Sequence, residues 1–502
     1  MTCILHQPES QRLRTTRHGR NRRENEMTKR LVFCFDGTSN TLDRPNPTNV
    51  AITAAAVKNS SDTGPQIVYY DEGVGSTKKD NFVGGAFGAG LYDKVIEAYK
   101  FLVFNHEPGD EIFIFGFSRG AYTARSFAGL IHHSGIINSC FADKIHVAAT
   151  LYQRRDPKKA IEDLDEINEF RRQFVTDTCA SEQDLNWRAK HVDGFESARS
   201  PLVRIRYIGV WDTVKTIGSS VFGDMDDDGE VDDAAFHDHD LHPSVERARH
   251  AVALDEHRKK FDVTLWENVD ELNRAAGASI DDPARPYQQV WFPGGHGAVG
   301  GGGDVTGLSD EGLGWILQGA MDAGLELDTT TVSKIWGVRP DVLSTLDNSA
   351  EMSWRPKDVA MRFLPPWIDR VGPRGMHEVS EGAIIRWAAP NEATKERGVY
   401  RPKSLETISD AMAAAAARYE SWEFEARGGY GEPGTEQPPL TLRDGRQFRR
   451  YAAGGQDTLG SIARRFLKDP TRYKEIVALN RTTVIDPDRI YAGQILNLPF
   501  TT

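Results

Sequence analysis

A chain of 502 residues exceeds what one ordinary hydrophobic core organises, so two or three units are expected. Hydrophobic residues make up 39% and charged residues 27%, the balance of a soluble globular protein. A formal net charge of −12, with no basic stripe interleaved with aromatics, argues against nucleic-acid binding; no apolar run approaches the ~20 residues that cross a membrane. The four cysteines (Cys3, Cys34, Cys140, Cys179) lack metal-type spacing and imply no obligatory disulfide; Cys34 sits in an apparent buried strand as a small core residue.

Residues 1–26 carry Arg12, Arg14, Arg17, Arg20, Arg22 and Arg23 with few apolar residues. A signal peptide needs an apolar segment after its basic region, and none follows, so a disordered basic arm and synthesis in the cytoplasm are expected, with Met27 an alternative start. Residues 31–35 read as an apolar strand ending in Asp36-Gly37-Thr38, followed by a helix at 50–57, a strand at 66–70, a glycine-rich run at 84–90 and a helix at 91–105. The next strand, 111–117, runs directly into Gly116-Phe117-Ser118-Arg119-Gly120, a G-x-S-x-G match, and then into helix-compatible residues 121–130. This alternation indicates a mostly parallel sheet with helices on its faces. A serine on such a turn is presented above the sheet, and the two glycines fit because side chains there would collide across the bend. The helix N-terminus behind it favours an oxyanion. The oxyanion donors expected from this topology are the N–H of Arg119 and the Gly37/Thr38 loop; a plain strand-end turn at 36–38 is the alternative.

Residues 141–190 are rich in helix formers, with Ile161, Leu164, Ile167 and Phe174 on one stripe; they read either as core-facing helices or as a cap over the serine. Strand 204–210 ends in Trp211-Asp212-Thr213-Val214, which puts an aspartate where a hydrolase acid belongs. Strand 287–292 leads into Pro293-Gly294-Gly295-His296-Gly297-Ala298 and further glycines, a setting unlike that of a packed core histidine. Ser118, Asp212 and His296 thus follow the Ser…Asp…His order of α/β-hydrolases. Between them, the acidic run from Asp224 matches an EF-hand loop at its first, third, fifth and sixth places, but Ala235 stands at the twelfth; a solvated acidic loop is the expectation. His237, His239 and His242 follow with poor zinc spacing.

Several segments together resemble one family: Phe35-Asp36-Gly37-Thr38, Tyr70-Asp71-Glu72-Gly73-Val74-Gly75, Pro108-Gly109-Asp110-Glu111-Ile112, Gly116-Phe117-Ser118-Arg119-Gly120-Ala121, Gly209-Val210-Trp211-Asp212-Thr213-Val214, His250-Ala251-Val252-Ala253-Leu254-Asp255-Glu256 and Trp291-Phe292-Pro293-Gly294-Gly295-His296. They are similar to the catalytic domain of type VI secretion Tle phospholipases, in order from about residue 29 to 405. The resemblance implies an α/β-hydrolase that cleaves lipid esters, with Ser118 as nucleophile, Asp212 as acid and His296 as base. It also implies export to the periplasm or envelope of a target cell, with a secretion-apparatus or immunity protein as partner. The family usually places Ser-Asp after that histidine, where Gly297-Ala298 stand here; Asp304 is a nearby substitute for the missing carboxylate.

Beyond Asn391 the hydrolase pattern fades, and residues 406–446 read as a helix followed by a Gly/Pro-rich linker at 428–439. Residues 447–500 then read as strand, helix, helix, strand, with Asp457 or Thr458 as a helix cap. Asp457-Thr458-Leu459, Ile462-Ala463, Asn480, Ile490-Tyr491-Ala492-Gly493-Gln494 and Leu498-Pro499 resemble a LysM domain, although Gly455-Gln456-Asp457 replaces the usual Pro-Gly-Asp. The resemblance implies binding of peptidoglycan or another N-acetylglucosamine polymer in a groove bordered by Asp457, Thr458 and Ile485; a docking spacer is the alternative. The expectation is therefore an α/β-hydrolase catalytic domain at 27–405 and a small C-terminal βααβ module, needing no metal or cofactor. A non-phospholipid esterase and an inactive wall-binding scaffold are the rival readings.

Overall fold

The computed structural model describes residues 27–37, 45–61, 63–73, 86–155, 165–214, 240–328, 337–346, 368–394 and 398–500. The basic arm, Thr38, Val74, Gly75, Ile161, Leu164, the Asp224–Asp233 acidic run and Ala235, His237 and His239 lie outside them. A seven-stranded sheet organises the catalytic domain: β1 (Arg30–Phe35), β2 (Ser60–Ser61), β3 (Gly64–Asp71), β4 (Glu111–Phe117), β5 (Arg204–Trp211), β6 (Ala248–Ala253) and β7 (Tyr287–Phe292), in the order β2-β3-β1-β4-β5-β6-β7. All pairings are parallel except β2 with β3 at one edge. Beyond the paired Arg30 and Glu111 at their first positions, the central strands β1 and β4 are apolar because both faces are covered. Leu31, Phe33, Phe35, Ile112 and Ile114 enter one core with the helices Ala86–Asn105 and Arg119–Ser134. Val32, Cys34, Phe113, Phe115 and Phe117 enter the other, against the helices Asn49–Ala56 and Gly307–Asp322. The alternation is the period-two reading of a strand. Cys34 is fully buried, as its setting suggested.

β6 is a strand that the periodicity reading does not find: Ala-Arg-His-Ala-Val-Ala is short and interrupted by two polar side chains. Arg249 and His250 are accommodated by Trp315 O and the Gln289 side chain, respectively. The described part of the stretch after the helix Arg119–Ser134 is largely helical and packs into the core. Ile145, Ala148, Ala149, Tyr152, Ile167 and Phe170 join the first core, and the buried Arg171 guanidinium donates to the carbonyls of His132 and His133. Those carbonyls are near the C-terminal end of a 16-residue helix, about 20 Å from its start, so the described part of the insert braces the end remote from Ser118.

The C-terminal module has a three-stranded antiparallel sheet, β8 (Glu436–Thr441), β9 (Gln447–Ala452) and β10 (Ile495–Leu498), with helices Leu459–Leu467 and Tyr473–Ala478. β8 arises within the stretch expected to be linker. Its two adjacent prolines lack donors, so it forms an edge strand whose register shifts between Gln437 and Leu440. The preceding residues are also laid against the module: Gly431 N–H donates to Gly493 O at 2.8 Å, and Ile495 N–H to Gly429 O at 2.9 Å.

Candidate active site

β4 is buried throughout, and the helix Arg119–Ser134 begins one residue beyond its end. Ser118, between them, has φ 59° and ψ −124°, a conformation that costs a non-glycine residue about 1–3 kcal/mol. The bend is tight: a Cβ at Gly116 would lie 2.5 Å from Gly120 O, and one at Gly120 would lie 2.2 Å from Phe35 O. Backbone bonds tie the turn to β5, with Ser118 N–H donating to Trp211 O and Val214 N–H to Ser118 O. Gly120→Ala is therefore expected to lower stability by about 1–3 kcal/mol, because the end of β1 must shift to admit a methyl group. A urea midpoint equal to that of the parent would contradict this account of the bend.

β5 is followed directly by Asp212, which has φ 38° and is fully buried. Its Oδ2 lies 2.6 Å from His296 Nδ1, and its Oδ1 accepts the N–H of Ala253 at 2.9 Å. Arg370 supplies a two-pronged contact, Nη1 to Oδ1 at 2.5 Å and Nη2 to Oδ2 at 2.9 Å, and also donates to the carbonyls of Ala253 and Phe261. Burial pushes the Asp212 carboxyl up, but the Arg370 charge and the hydrogen bonds from His296 and Arg370 outweigh it and hold the group well below the usual carboxylate range. Arg370 was not anticipated from the sequence. It lies in irregular chain 158 residues from its partner, and no motif marks it.

His296 opens a short helix, His296–Gly300, one turn beyond β7. Its Nε2 is 2.8 Å from Ser118 Oγ, completing a row of hydroxyl, imidazole and carboxylate. The rings of Phe117 and Phe261 each pack on the imidazole with centroids 4.7 Å away. Phe117 also accounts for part of the glycine run, since a Cβ at Gly300 would lie 1.9 Å from its ring. Asn49 Nδ2 donates to Val299 O and Ser309 O, fastening the loop to the adjacent helix.

Two carboxylates hold the chain around His296. Glu256 Oε2 accepts the His296 N–H at 3.1 Å, and Asp255 Oδ2 accepts the Gly294 N–H at 2.7 Å and the Tyr400 hydroxyl at 2.8 Å. Burial acts to raise Glu256, but the Arg258 contacts keep it below its ordinary value. Asp255 is pushed up, chiefly by burial. Ala298 is packed against Gly294, while Asp304 is on an exposed turn. The loop thus takes polar support from the Asp255-Glu256 pair, upstream of the Gly297-Ala298 departure, as well as from Asn49.

Arg119 is the first residue of the helix that follows Ser118. Gly37 lies at the end of β1, where Phe35 pairs with Gly116, but its N–H donates to the Asp36 carboxylate at 2.6 Å. Asp36 in turn accepts from Thr48 Oγ1 at 2.6 Å and the Tyr70 hydroxyl at 2.7 Å. The Gly37 N–H reaches an oxyanion only by leaving that bond. In the C-terminal module, Asp457 accepts from Tyr451 OH and Gly454 N–H, and Thr458 forms a reciprocal cap with Ser461. Ile485 packs beside Val342, Leu343 and Ile385 of the catalytic domain. His242 stacks on His132, with centroids 4.6 Å apart. Among the described residues, no helix is long and apolar enough to cross a membrane.

The doubly covered, mostly parallel sheet with a serine at its strand-to-helix turn defines an α/β-hydrolase-type protein. Residues 29–319 match the family described as the catalytic domain of Tle1-like phospholipase effectors of type VI secretion, and the chain belongs to that family. Residues 456–499 match the LysM domain. The chain is 28% identical over 248 residues to the uncharacterized protein YEL023C of Saccharomyces cerevisiae, a stretch covering 46% of this chain and 32% of that protein's length. Among solved structures, it is similar to the Tle1 effector bound to the VgrG spike of the type VI secretion system: 19% identity, 55% of this chain, 51% of that one, TM-score 0.28. It is also similar to an uncharacterized protein from Pseudomonas aeruginosa: 17% identity, 80% of this chain, 61% of that one, TM-score 0.34.

Proposed function

We propose that the protein is a serine hydrolase that cleaves carboxylic esters of lipids. The observation that carries this reading is the continuous row from Ser118 Oγ through His296 to Asp212, at 2.8 and 2.6 Å. His296 Nε2 takes the Ser118 proton as the oxygen attacks the ester carbonyl, and Asp212 fixes the tautomer and steadies the imidazolium. The backbone N–H of Arg119 and the loop beginning at Gly37 receive the oxyanion, each donor contributing about 3 kcal/mol in comparable sites. The imidazolium then protonates the departing alcohol, and water hydrolyses the acyl-serine with the same groups in reversed roles. Every proton in this cycle has a side chain on the row to move through.

The LysM module would hold the catalytic domain to peptidoglycan or a similar N-acetylglucosamine polymer. Family membership supports delivery by a type VI apparatus to another cell's envelope, with an immunity protein as counterpart. A fluorophosphonate probe is expected to label one serine, mapped by mass spectrometry to the peptide around Ser118. Mixed glycerophospholipid vesicles are expected to yield free fatty acid. Release of phosphorylated headgroup without fatty acid would overturn the ester reading.

A further inference from the structure

The segment from His250 to Glu256 serves the site at several places. Ala251 O accepts the Asp212 N–H at 2.8 Å, and the Ala253 N–H donates to Asp212 Oδ1 at 2.9 Å. Asp255 and Glu256 hold Gly294 and His296. The first residue, His250, has no place on the proton row, and a fully buried imidazole on β6 calls for an explanation.

The backbone beyond Asp212 supplies one. β5 pairs with β6 as far as Trp211 opposite Ala251, and Asp212 then turns out of the strand with φ 38°. That conformation costs a non-glycine residue about 1–3 kcal/mol and needs outside support. It aims the carboxylate at His296 but takes the next residue, Thr213, off the ladder. Thr213 is wholly buried, so its N–H requires an acceptor inside the protein. His250 Nε2 is that acceptor, at 3.2 Å.

The network fixes the tautomer. A backbone N–H can only donate, so Nε2 offers its lone pair and the ring proton sits on Nδ1. There it faces Gln289 Oε1 at 3.0 Å, and the same oxygen accepts the Trp266 N–H at 2.9 Å. Burial, aided by the Arg125 charge, pushes the imidazole down to about 3 and keeps it neutral. The other end of the turn is gripped as well. Thr264 N–H donates to Thr213 O at 2.8 Å, and Arg125, from the helix Arg119–Ser134, donates to Thr264 O at 2.5 Å.

Building on the serine hydrolase reading, we infer that His250 is a positioning residue: its Nε2 pins the Thr213 N–H and so keeps the Asp212 carboxylate in line with His296 Nδ1. A ring that only filled space would need no lone pair at that point. Misplacing the carboxylate by about 1 Å would cost on the order of a hundredfold in rate.

Two variants test this. His250→Gln can put its amide oxygen where Nε2 was, whereas His250→Asn reaches only the Nδ1 position and leaves Thr213 without an acceptor. His250→Asn is expected to lower kcat for fatty-acid release by about tenfold to a hundredfold with KM within about twofold, and His250→Gln to stay within about threefold of the parent. Proton NMR of the resting protein gives a second readout. The downfield Nδ1–H resonance of His296, bonded to Asp212, should move in His250→Asn and keep its place in His250→Gln. That signal needs no turnover, so it judges this inference even if the hydrolase reading fails. In the parent, the nitrogen shifts of His250 should report a neutral Nδ1–H ring between about pH 5 and 9, a check that stands even if His250→Asn does not fold. The inference is overturned if both variants lose the same activity, if the His296 resonance is unmoved in His250→Asn, or if His250 carries its proton on Nε2.

Discussion

The Ser118→Ala protein is expected to fold as the parent does and to release fatty acid from phospholipid vesicles about four to six orders of magnitude more slowly. Loss of one member of a proton-relaying row forfeits nearly the whole benefit of the row. His296→Ala should lose a similar amount, and the double variant little more, since the groups act as a unit. Strain at residue 118 supplies an internal control. Alanine keeps the Cβ in its unfavourable φ/ψ region, whereas Ser118→Gly relieves it and should gain about 1 kcal/mol of stability while remaining inactive. Chemical denaturation checks the gain, and fatty-acid titration checks the activity. Turnover by Ser118→Ala within tenfold of the parent would remove the serine from the mechanism.

Arg370→Met should be the second most damaging change. It leaves Asp212 fully buried with His296 and one backbone N–H as partners, and stranding one member of a buried ion pair costs about 3–5 kcal/mol. The pH dependence separates electrostatics from packing. Asp212 is depressed in the parent, so its contribution to stability is present above the ordinary carboxylate pKa and is lost as pH falls through the lower folded value. Without the guanidinium, burial is opposed by less, and Asp212 takes up a proton at a higher pH. The acid limb of the kcat/KM profile should therefore move upward in Arg370→Met and return most of the way in Arg370→Lys. A lowered rate with an unmoved acid limb would mean that Arg370 only braces the fold.

What could be read from the chain and what could not divide along physical lines. The turn at Ser118 was legible because a buried strand, two sterically required glycines and a helix follow one another within about twenty residues. The expected strands before Asp212 and His296 ended where they should for the same reason: contiguous apolar runs are local signals. Arg370, Asp255 and Glu256 act through contacts with residues 39 to 158 positions away, and a lone charged residue carries no periodicity to betray such a role. Asp255 and Glu256 at least stood inside a segment resembling the family. β8 was hidden by its prolines, which normally argue against a strand and are tolerated here only at an unpaired edge. Gly37 shows another limit: its place at the end of β1 could be read from the chain, but the hydrogen bond from its N–H to the Asp36 carboxylate depends on a side-chain rotamer that no motif records.

The tail is fastened to the helical segment before it, Asn497 to Ala426 O, Arg481 to Arg418 O and Glu423, and Thr482 to Glu423 O; that segment packs on the catalytic domain through Met412 and Ala416, and Tyr491 lies directly over Gly314. A fastening of that kind acts as a bracket, not a leash. Whatever solid surface the tail grips, the hydrolase would be carried at a set angle and height, and a tug on the tail would load the helix beneath Tyr491 before any spacer could stretch.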